Sequence, residues 1–148
     1  MAQVINEVKT LDSQNDAGQF SPLVLAYIGD AYYEMIVRTH VVSAGNMQVE
    51  KLHRKVTGLV RASSQAAIAR YYVDTEEFTE EELAVFKRGR NSKSHTMPKN
   101  AEPADYRRAT GLEAVIGYLY LEGQNKRAEE LILRGIEYLA ETDAKDQG

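Results

Sequence analysis

The feature that most constrains the fold of this 148-residue chain is a long apolar segment that follows Ser21 and Pro22. Serine is a good helix cap, and proline suits the first helical position because its missing N–H is not needed there. Nearly every position from 23 to 42 is apolar, and the apolar residues lie on all sides of the predicted helix. Since such a helix is buried on most sides, the segment predicts a buried central helix.

Further helices are predicted along the rest of the chain, and no stretch shows a sustained strand pattern. Apolar residues recur three and four positions apart between Val49 and Val60, which indicates an amphipathic helix. Thr79 with Glu82 fits a capping box. The other helices are expected at about 63–73, about 79–87, 105–121 and 125–141, with Gly123 as a stop before the last. The sequence therefore predicts an all-α protein of about six helices, with a leader at 1–20, a helical domain at 21–141 and a polar tail at 142–148.

Composition excludes several classes of site. The chain has no cysteine, so it lacks disulfides, thiolate nucleophiles and sulfur-bound metals. Its three histidines, at positions 40, 53 and 95, have no close metal-ligand spacing. The longest uncharged stretch, residues 17–29, is too short to span a bilayer, and the N-terminus has no signal-peptide pattern. We therefore expect a cytoplasmic protein without a membrane segment.

Charge is sorted along the chain, although the net charge is only −4. Residues 51–73 hold five lysines or arginines and no acid, whereas residues 74–82 hold six acids and no base. Residues 83–101 hold another five basic residues, in a stretch with glycine, serine and asparagine. Such a loop can bring cations and backbone N–H groups to phosphates. The alternative is a solvated loop that balances nearby acids, and the sequence leaves both open.

Two acidic residues occupy segments that are otherwise apolar. Asp30 follows Gly29 in the first helix, and Glu113 lies four residues before Gly117 in another. The glycines would let the two helix backbones approach closely, which would bring the carboxylates together. A buried carboxylate must be paired or bind a cation, and an oxygen-only pair suits Mg²⁺. The alternative partners are three arginines: Arg38, Arg107 and Arg108.

These same two segments resemble the metal-binding helices of the ribonuclease III family. The first is residues 25–34, LAYIGDAYYE, and the second is residues 110–121, TGLEAVIGYLYL. Both occur in the expected order and at about the expected distance, and the resemblance covers about residues 22–139. We expect no double-stranded-RNA-binding domain within these 148 residues, which makes the chain similar to the short form of the family, Mini-ribonuclease III. The loop at 88–100 and the following Tyr106-Arg107 are also similar to that form.

The resemblance implies an all-α, ribonuclease III-type endonuclease domain that forms a homodimer. It implies Mg²⁺-dependent cleavage of double-stranded RNA to 5′-phosphate products, in the maturation of 23S ribosomal RNA, with a ribosomal protein presenting the substrate. Asp30 matches the catalytic aspartate of the family and Glu113 its metal-binding glutamate. Ordinary members carry further carboxylates where this chain has Ala26 and Thr110, and Thr110 is a candidate to position a metal-bound water.

Recognition of RNA would depend on the catalytic dimer itself. A-form RNA is read through its shape, phosphates and 2′-hydroxyls, so basic residues in or near the loop are the candidate contacts. They are Arg88, Arg90, Lys93, Lys99 and Arg107. The first helix also carries more apolar residues than one core face needs, which suggests a dimer surface. They are Tyr27, Tyr32, Tyr33, Met35 and Ile36.

Two other functions are compatible with the sequence. One is a catalytically silent RNA-binding or scaffolding module of the same fold, which the neutral residues Ala26 and Thr110 favour. The other is a helical protein–protein adaptor that uses the acidic segment 74–82 as its contact surface. A Mg²⁺ titration with an RNA duplex distinguishes the enzyme from the silent module, and the adaptor predicts no effect on RNA.

Overall fold

Six α-helices and a short 3₁₀ turn make up the regular structure of the computed structural model, which describes residues 16–92 and 97–147. The turn is Ala17–Gln19, and the helices are α1 (Pro22–Ser43), α2 (Val49–Val60), α3 (Ala62–Asp74), α4 (Glu80–Arg90), α5 (Pro103–Leu121) and α6 (Asn125–Gln147). The predicted all-α fold is confirmed. Among the described helices, none combines the length and apolarity that crossing a membrane requires.

Local sequence signals set several helix ends as predicted. The hydroxyl of Ser21 accepts a hydrogen bond from the Val24 N–H at 3.2 Å and caps α1. Thr79 and Glu82 form the capping box, with reciprocal hydrogen bonds of 3.0 and 3.1 Å at the start of α4. Gly123 follows the end of α5 with φ of 78°, a backbone conformation that favours glycine.

Other helix boundaries differ from the prediction. The fourth helix continues to Arg90, so that Arg88 and Arg90 lie on its last turn and not in a loop. The fifth begins at Pro103 rather than after Asp105, because proline is well placed at the first helical position. The last helix extends to Gln147 through the predicted polar tail. Each residue added to an existing helix gains a backbone hydrogen bond, so polar residues prolong it without a buried face.

The most buried helix is α5 and not α1. It packs against α1, α3 and α4, and nine of its residues are buried. By contrast, α1 buries a single face and leaves Tyr27 and Met35 exposed at 82% and 63%. Of the other apolar residues predicted on the α1 dimer surface, Tyr33 is buried, and Tyr32 and Ile36 pack against the core. The expectation that α1 is buried on most sides is therefore wrong.

The end of the predicted leader is attached to the domain. Ala17 is fully buried, and Phe20 packs against the hydrophobic core. Residues 1–15 lie outside the described part of the chain. The packed structure therefore begins before Ser21.

Two of the six acids in segment 74–82 form ion pairs within the molecule. Glu82 is 3% exposed and binds Arg127 at 2.9 Å, in addition to its role in the capping box. Glu77 pairs with both Arg127 and Arg134. These ion pairs tie the start of α4 to α6, which leaves less of the segment free for the contact surface that an adaptor would need.

Candidate active site

Asp30 and Glu113 meet where α1 and α5 touch. A Cβ atom on Gly29 would overlap the backbone carbonyl of Glu113, and a Cβ on Gly117 would overlap that of Leu25. The two glycines thus let the backbones approach more closely than any other residue would allow. As a result, the carboxyl groups of Asp30 and Glu113 lie within hydrogen-bonding reach of each other.

The two acids differ in their surroundings. Glu113 is half-buried, and its burial, the hydrogen bond to Asp30 and the negative charge of Asp30 raise its pKa to about 9. Asp30 is exposed and lines an open pocket together with Glu34 and Met35. The expectation that both acids are buried is therefore wrong for Asp30, because it projects from α1 beside the face that α1 packs on α5. The site is open to solvent on that side.

Neither acid is neutralised by an arginine in the part of the chain that the structure describes. Arg38 pairs with Glu34 at 2.6 Å, four residues earlier on the same helix. No ion pair among residues 16–92 and 97–147 involves Asp30 or Glu113. The arginine partners that the sequence left open are thus not used, and the negative charge remains available for a cation.

Two more side chains approach Glu113, and neither was expected at the site from the sequence. Tyr33 is buried and its hydroxyl donates to the Leu59 carbonyl at 3.2 Å. Burial first, and then electrostatic interaction with Tyr72 and Glu113, raises the pKa of Tyr33. Gln65 lies on α3 with only 2% of its surface exposed, and its amide is close enough to lower the pKa of Glu113.

The sequence contains a pattern that could have indicated a buried, partnered Gln65. Ile68 and Ala69 follow it by three and four residues and are buried, so Gln65 shares their face of α3. A polar side chain on the apolar face of a helix needs a partner. Which partner it has depends on how α3 packs on α5.

The two positions that carry acids in ordinary family members are small and neutral here. Ala26 lies one turn before Asp30, and Thr110 lies one turn before Glu113. The Thr110 hydroxyl donates to the Tyr106 carbonyl at 2.9 Å, so only its acceptor positions can take another hydrogen bond. Among the described residues, no group of three or more acids or histidines could hold a metal ion. The site therefore provides two carboxylates.

The predicted RNA-binding residues lie at the end of α4, in the segment after it and on α5. Arg88 is exposed, and the half-buried Arg90 places its guanidinium over the Phe86 ring, 5.7 Å from the centroid. Lys99 and Arg107 are exposed. Lys93 lies outside the described residues.

The end of α4 is fixed relative to the acids. A Cβ on Gly89 would lie 2.9 Å from the Cα of Gly111, so the last turn of α4 rests on the backbone of α5. Gly111 is two residues from Glu113. Arg88 and Arg90 therefore lie on a helix turn that packs on α5 at Gly111, which is on a different side of α5 from Glu113.

Comparison with known proteins identifies this architecture. The Ribonuclease III domain matches residues 23–124, which is more than half of the chain. The chain belongs to the ribonuclease III family. The match begins in the first turn of α1 and ends just after Gly123, so both acid-bearing helices of the ribonuclease III domain fall inside it.

Curated relatives in the ribonuclease III family support this assignment over most of the chain. Mini-ribonuclease 3 of Enterococcus faecalis is 46% identical over 130 residues, which cover 88% of this chain and 98% of the relative. Mini-ribonuclease 3 of Clostridium tetani is 46% identical over 137 residues, which cover 92% and 89%. A crystal structure of a protein from Fusobacterium nucleatum matches with a TM-score of 0.72 and 30% identity, covering 80% of this chain and 93% of that protein. The predicted fold and the predicted class of enzyme, an endoribonuclease of double-stranded RNA, are confirmed.

Proposed function

We propose that this ribonuclease III domain is a Mg²⁺-dependent endoribonuclease whose metal-binding and catalytic residues are Asp30 and Glu113. The observation that carries the proposal is the meeting of these two carboxylates at the glycine contact between α1 and α5. Two acids that meet without a cation repel each other, and the raised pKa of Glu113 expresses that repulsion together with burial. A divalent cation relieves it.

The carboxylates of Asp30 and Glu113 are suitable ligands for Mg²⁺. Both ligands are oxygen atoms, which hard cations prefer, and Mg²⁺ is commonly bound by one or two carboxylates with several retained waters. Asp30 is exposed, so waters and an RNA phosphate can reach the same site. Bound there, Mg²⁺ would activate a water and stabilise the charge that develops on the scissile phosphate.

The protein residues have separate roles in this reaction. Asp30 presents its carboxylate at the open side of the site, where the RNA approaches. Glu113 would supply the second carboxylate from the half-buried side and would hold the cation in its deprotonated form. Thr110 accepts a hydrogen bond from a water at the site, since its own proton is held by the Tyr106 carbonyl. The two helices hold this arrangement before RNA arrives, so little reorganisation is needed.

We propose that the basic residues at the end of α4, in the following segment and on α5 bind the RNA phosphates. Support comes from the exposed Arg88, Lys99 and Arg107 and from Arg90, which the Phe86 ring holds in place. Lys93 belongs to the same predicted set. The contact between Gly89 and Gly111 fixes the end of α4, with Arg88 and Arg90, on α5.

We further propose that the domain is a homodimer that pairs through α1. Four residues at intervals of four, Leu23, Tyr27, Ala31 and Met35, are exposed along one line of this helix. An apolar line of this kind is typical of an interface between helices. Asp30 lies beside it, so a second copy would flank the site and place two cleavage centres on one RNA duplex.

The finer proposals concern the biological substrate. We propose that the substrate is a precursor of 23S ribosomal RNA in the cytoplasm and that a ribosomal protein helps to present it. Their support is the resemblance to the short form of the family and the 46% identity to two proteins called Mini-ribonuclease 3. The acidic net charge of −4 favours such help, because the domain attracts RNA weakly on its own.

The decisive experiment compares a short RNA duplex with its single strands in the presence of Mg²⁺. We expect the wild type to cleave only the duplex and to leave 5′ phosphates. We expect Asp30→Asn and Glu113→Gln each to lower turnover by at least about a hundredfold, the equivalent of about 2.7 kcal/mol in transition-state stabilisation. Glu137→Gln removes an exposed carboxylate from α6 and is the matched control, with unchanged turnover expected.

Normal turnover of Asp30→Asn with Mg²⁺ would show that the metal assignment is wrong. The silent RNA-binding module predicts a different result, namely duplex binding by the wild type without cleavage at any Mg²⁺ concentration. Ala26 and Thr110 favour this second function, because ordinary family members carry carboxylates at these two positions.

A further inference from the structure

Gln65 has a buried donor that the described residues leave without a well-formed hydrogen bond. Its side chain is 2% exposed, and its Nε2 atom is buried with no hydrogen-bond partner in residues 16–92 and 97–147. An unpaired buried donor costs about 1–3 kcal/mol. Methionine has a similar volume and would avoid this cost, so the fold alone does not explain an amide at this position.

The nearby carboxyl of Glu113 is the group that the amide can serve. The Gln65 side chain approaches the Glu113 carboxyl from α3 and is buried there. Gln65 stands on the face of α3 that packs on α5, and Ser64 beside it donates to the Gly58 carbonyl at 2.6 Å, which fixes the start of α3. The amide is therefore held at the site from a third helix.

The chemistry of an amide suits a cation site. An arginine or lysine at this position would neutralise Glu113 and compete with the metal. An amide N–H orients one carboxylate oxygen and leaves the negative charge and the other oxygen free for a cation. Groups that hold metal ligands in this way commonly contribute ten- to a hundredfold to metal affinity.

We propose that Gln65 is a positioning residue that donates its Nε2–H to the Glu113 carboxylate and fixes the orientation in which Glu113 and Asp30 bind a divalent cation. This inference rests on the proposed function of the two acids as metal ligands. In the metal-bound protein the Gln65 donor is paired, which explains why a buried amide is retained on an otherwise apolar helix face.

The test measures Mn²⁺ binding to the full chain without RNA, by electron paramagnetic resonance of the free ion. We expect Gln65→Met to weaken Mn²⁺ binding by about tenfold or more while leaving the unfolding midpoint in urea equal or higher. Ser64→Ala is the matched control, because it removes a buried hydrogen bond from the same turn without facing Glu113. It should lower the midpoint and leave Mn²⁺ affinity unchanged. If Gln65 were only structural, Gln65→Met would lower the unfolding midpoint and leave Mn²⁺ affinity unchanged.

The outcomes separate this inference from the proposed function. Equal Mn²⁺ affinity of Gln65→Met and wild type, with Asp30→Asn defective in binding, overturns the role of Gln65 and leaves the two acids as metal ligands. Normal RNA cleavage by Asp30→Asn overturns the proposed function and the inference with it.

A second measurement needs no stable variant at Gln65. In ¹⁵N-labelled wild type, the side-chain NH₂ resonances of Gln65 should shift on addition of Mg²⁺, and Glu113→Gln should abolish the shift. Resonances that stay unchanged when Mg²⁺ saturates the wild type would contradict the role of Gln65.

Discussion

Gly29 of α1 lies directly against the backbone carbonyl of Glu113 on α5. This contact joins two residues 84 positions apart in the chain and sets the distance between the carboxylates of Glu113 and Asp30. It leaves no room for a Cβ atom, and the atom that a Cβ would meet belongs to a backbone, which cannot move aside as a side chain can. The geometry of the site therefore depends on the absence of a methyl group.

Gly29→Ala should destabilise the fold and weaken metal binding together. The added methyl must push α1 away from α5, at a cost of at least about 2 kcal/mol in the free energy of unfolding. Urea unfolding and Mn²⁺ titration measure the two effects. Gly58→Ala is the control, since nothing lies within 4 Å of a Cβ there. It should raise stability by about 0.5–1 kcal/mol, as expected for alanine within a helix. If Gly29→Ala had the same urea unfolding midpoint as the wild type, the close contact between Gly29 and the Glu113 carbonyl would be contradicted.

The stability of the metal-free protein should fall as pH rises from about 5 to about 9. Glu113 has a pKa of about 9 in the folded protein and 4.5 without the fold, so unfolding releases a proton in this window. The folded state is then favoured at low pH, and its advantage shrinks by at most about 1.4 kcal/mol per pH unit. Urea unfolding in EDTA across this range measures the slope.

The contribution of Glu113 is isolated by comparing variants. Glu113→Gln should flatten the slope, and Asp30→Asn should reduce it, because burial still raises the pKa of Glu113 when the charge of Asp30 is gone. Glu137→Gln removes a carboxylate from the exposed surface of α6 and should keep the wild-type slope. Equal slopes in all four proteins would show that Glu113 has an ordinary pKa.

Arg127 should matter far more for stability than Arg134. Arg127 is the partner of the buried Glu82 and also donates to the Glu77 carbonyl at 2.9 Å. Arg127→Met leaves a buried carboxylate unpaired, which we expect to cost about 2–4 kcal/mol of unfolding free energy. Arg134 is 46% exposed, so Arg134→Met should cost less than about 1 kcal/mol. Equal losses in urea unfolding would contradict this ranking.

Binding of an RNA duplex in EDTA should depend on salt through the basic residues at the end of α4 and on α5. Arg88→Ala and Arg107→Ala should each lower the slope of log affinity against log salt by about 0.7–0.9, because each removes one phosphate contact. Fluorescence anisotropy at several salt concentrations measures the slope. Lys126→Ala, an exposed change at the start of α6, should leave it unchanged. Unchanged slopes for both arginine variants would mean that these residues are only solvated.

Tyr27→Glu should turn the proposed dimer into a monomer at micromolar concentration. A charge at a side chain that is 82% exposed in one chain costs the fold little, but it cannot be buried against a second copy. Sedimentation velocity measures the mass. Val49→Glu changes an equally apolar and 77% exposed residue on α2 and should leave the dimer intact. A wild type that sediments as a monomer would refute pairing through α1.

Local signals in the sequence were sufficient for the helices and for most of their ends. The Ser21 cap, the Thr79 capping box and the Gly123 stop each act within one turn, so the residues that decide them are neighbours in the chain. The glycines beside Asp30 and Glu113 likewise indicated a close helix contact, because only a missing Cβ permits one.

Tertiary packing decided the rest. Which face of α1 is covered depends on the position of α5, so the sequence could not show that Asp30 is exposed while Tyr33 is buried. The approach of Gln65 to Glu113 likewise depends on how α3 packs on α5. The sequence by itself determined the helices and the chemistry of the two acids, since both follow from residue type and spacing. Only the tertiary structure decided their exposure and their partners, because those depend on contacts between residues that are distant in the chain.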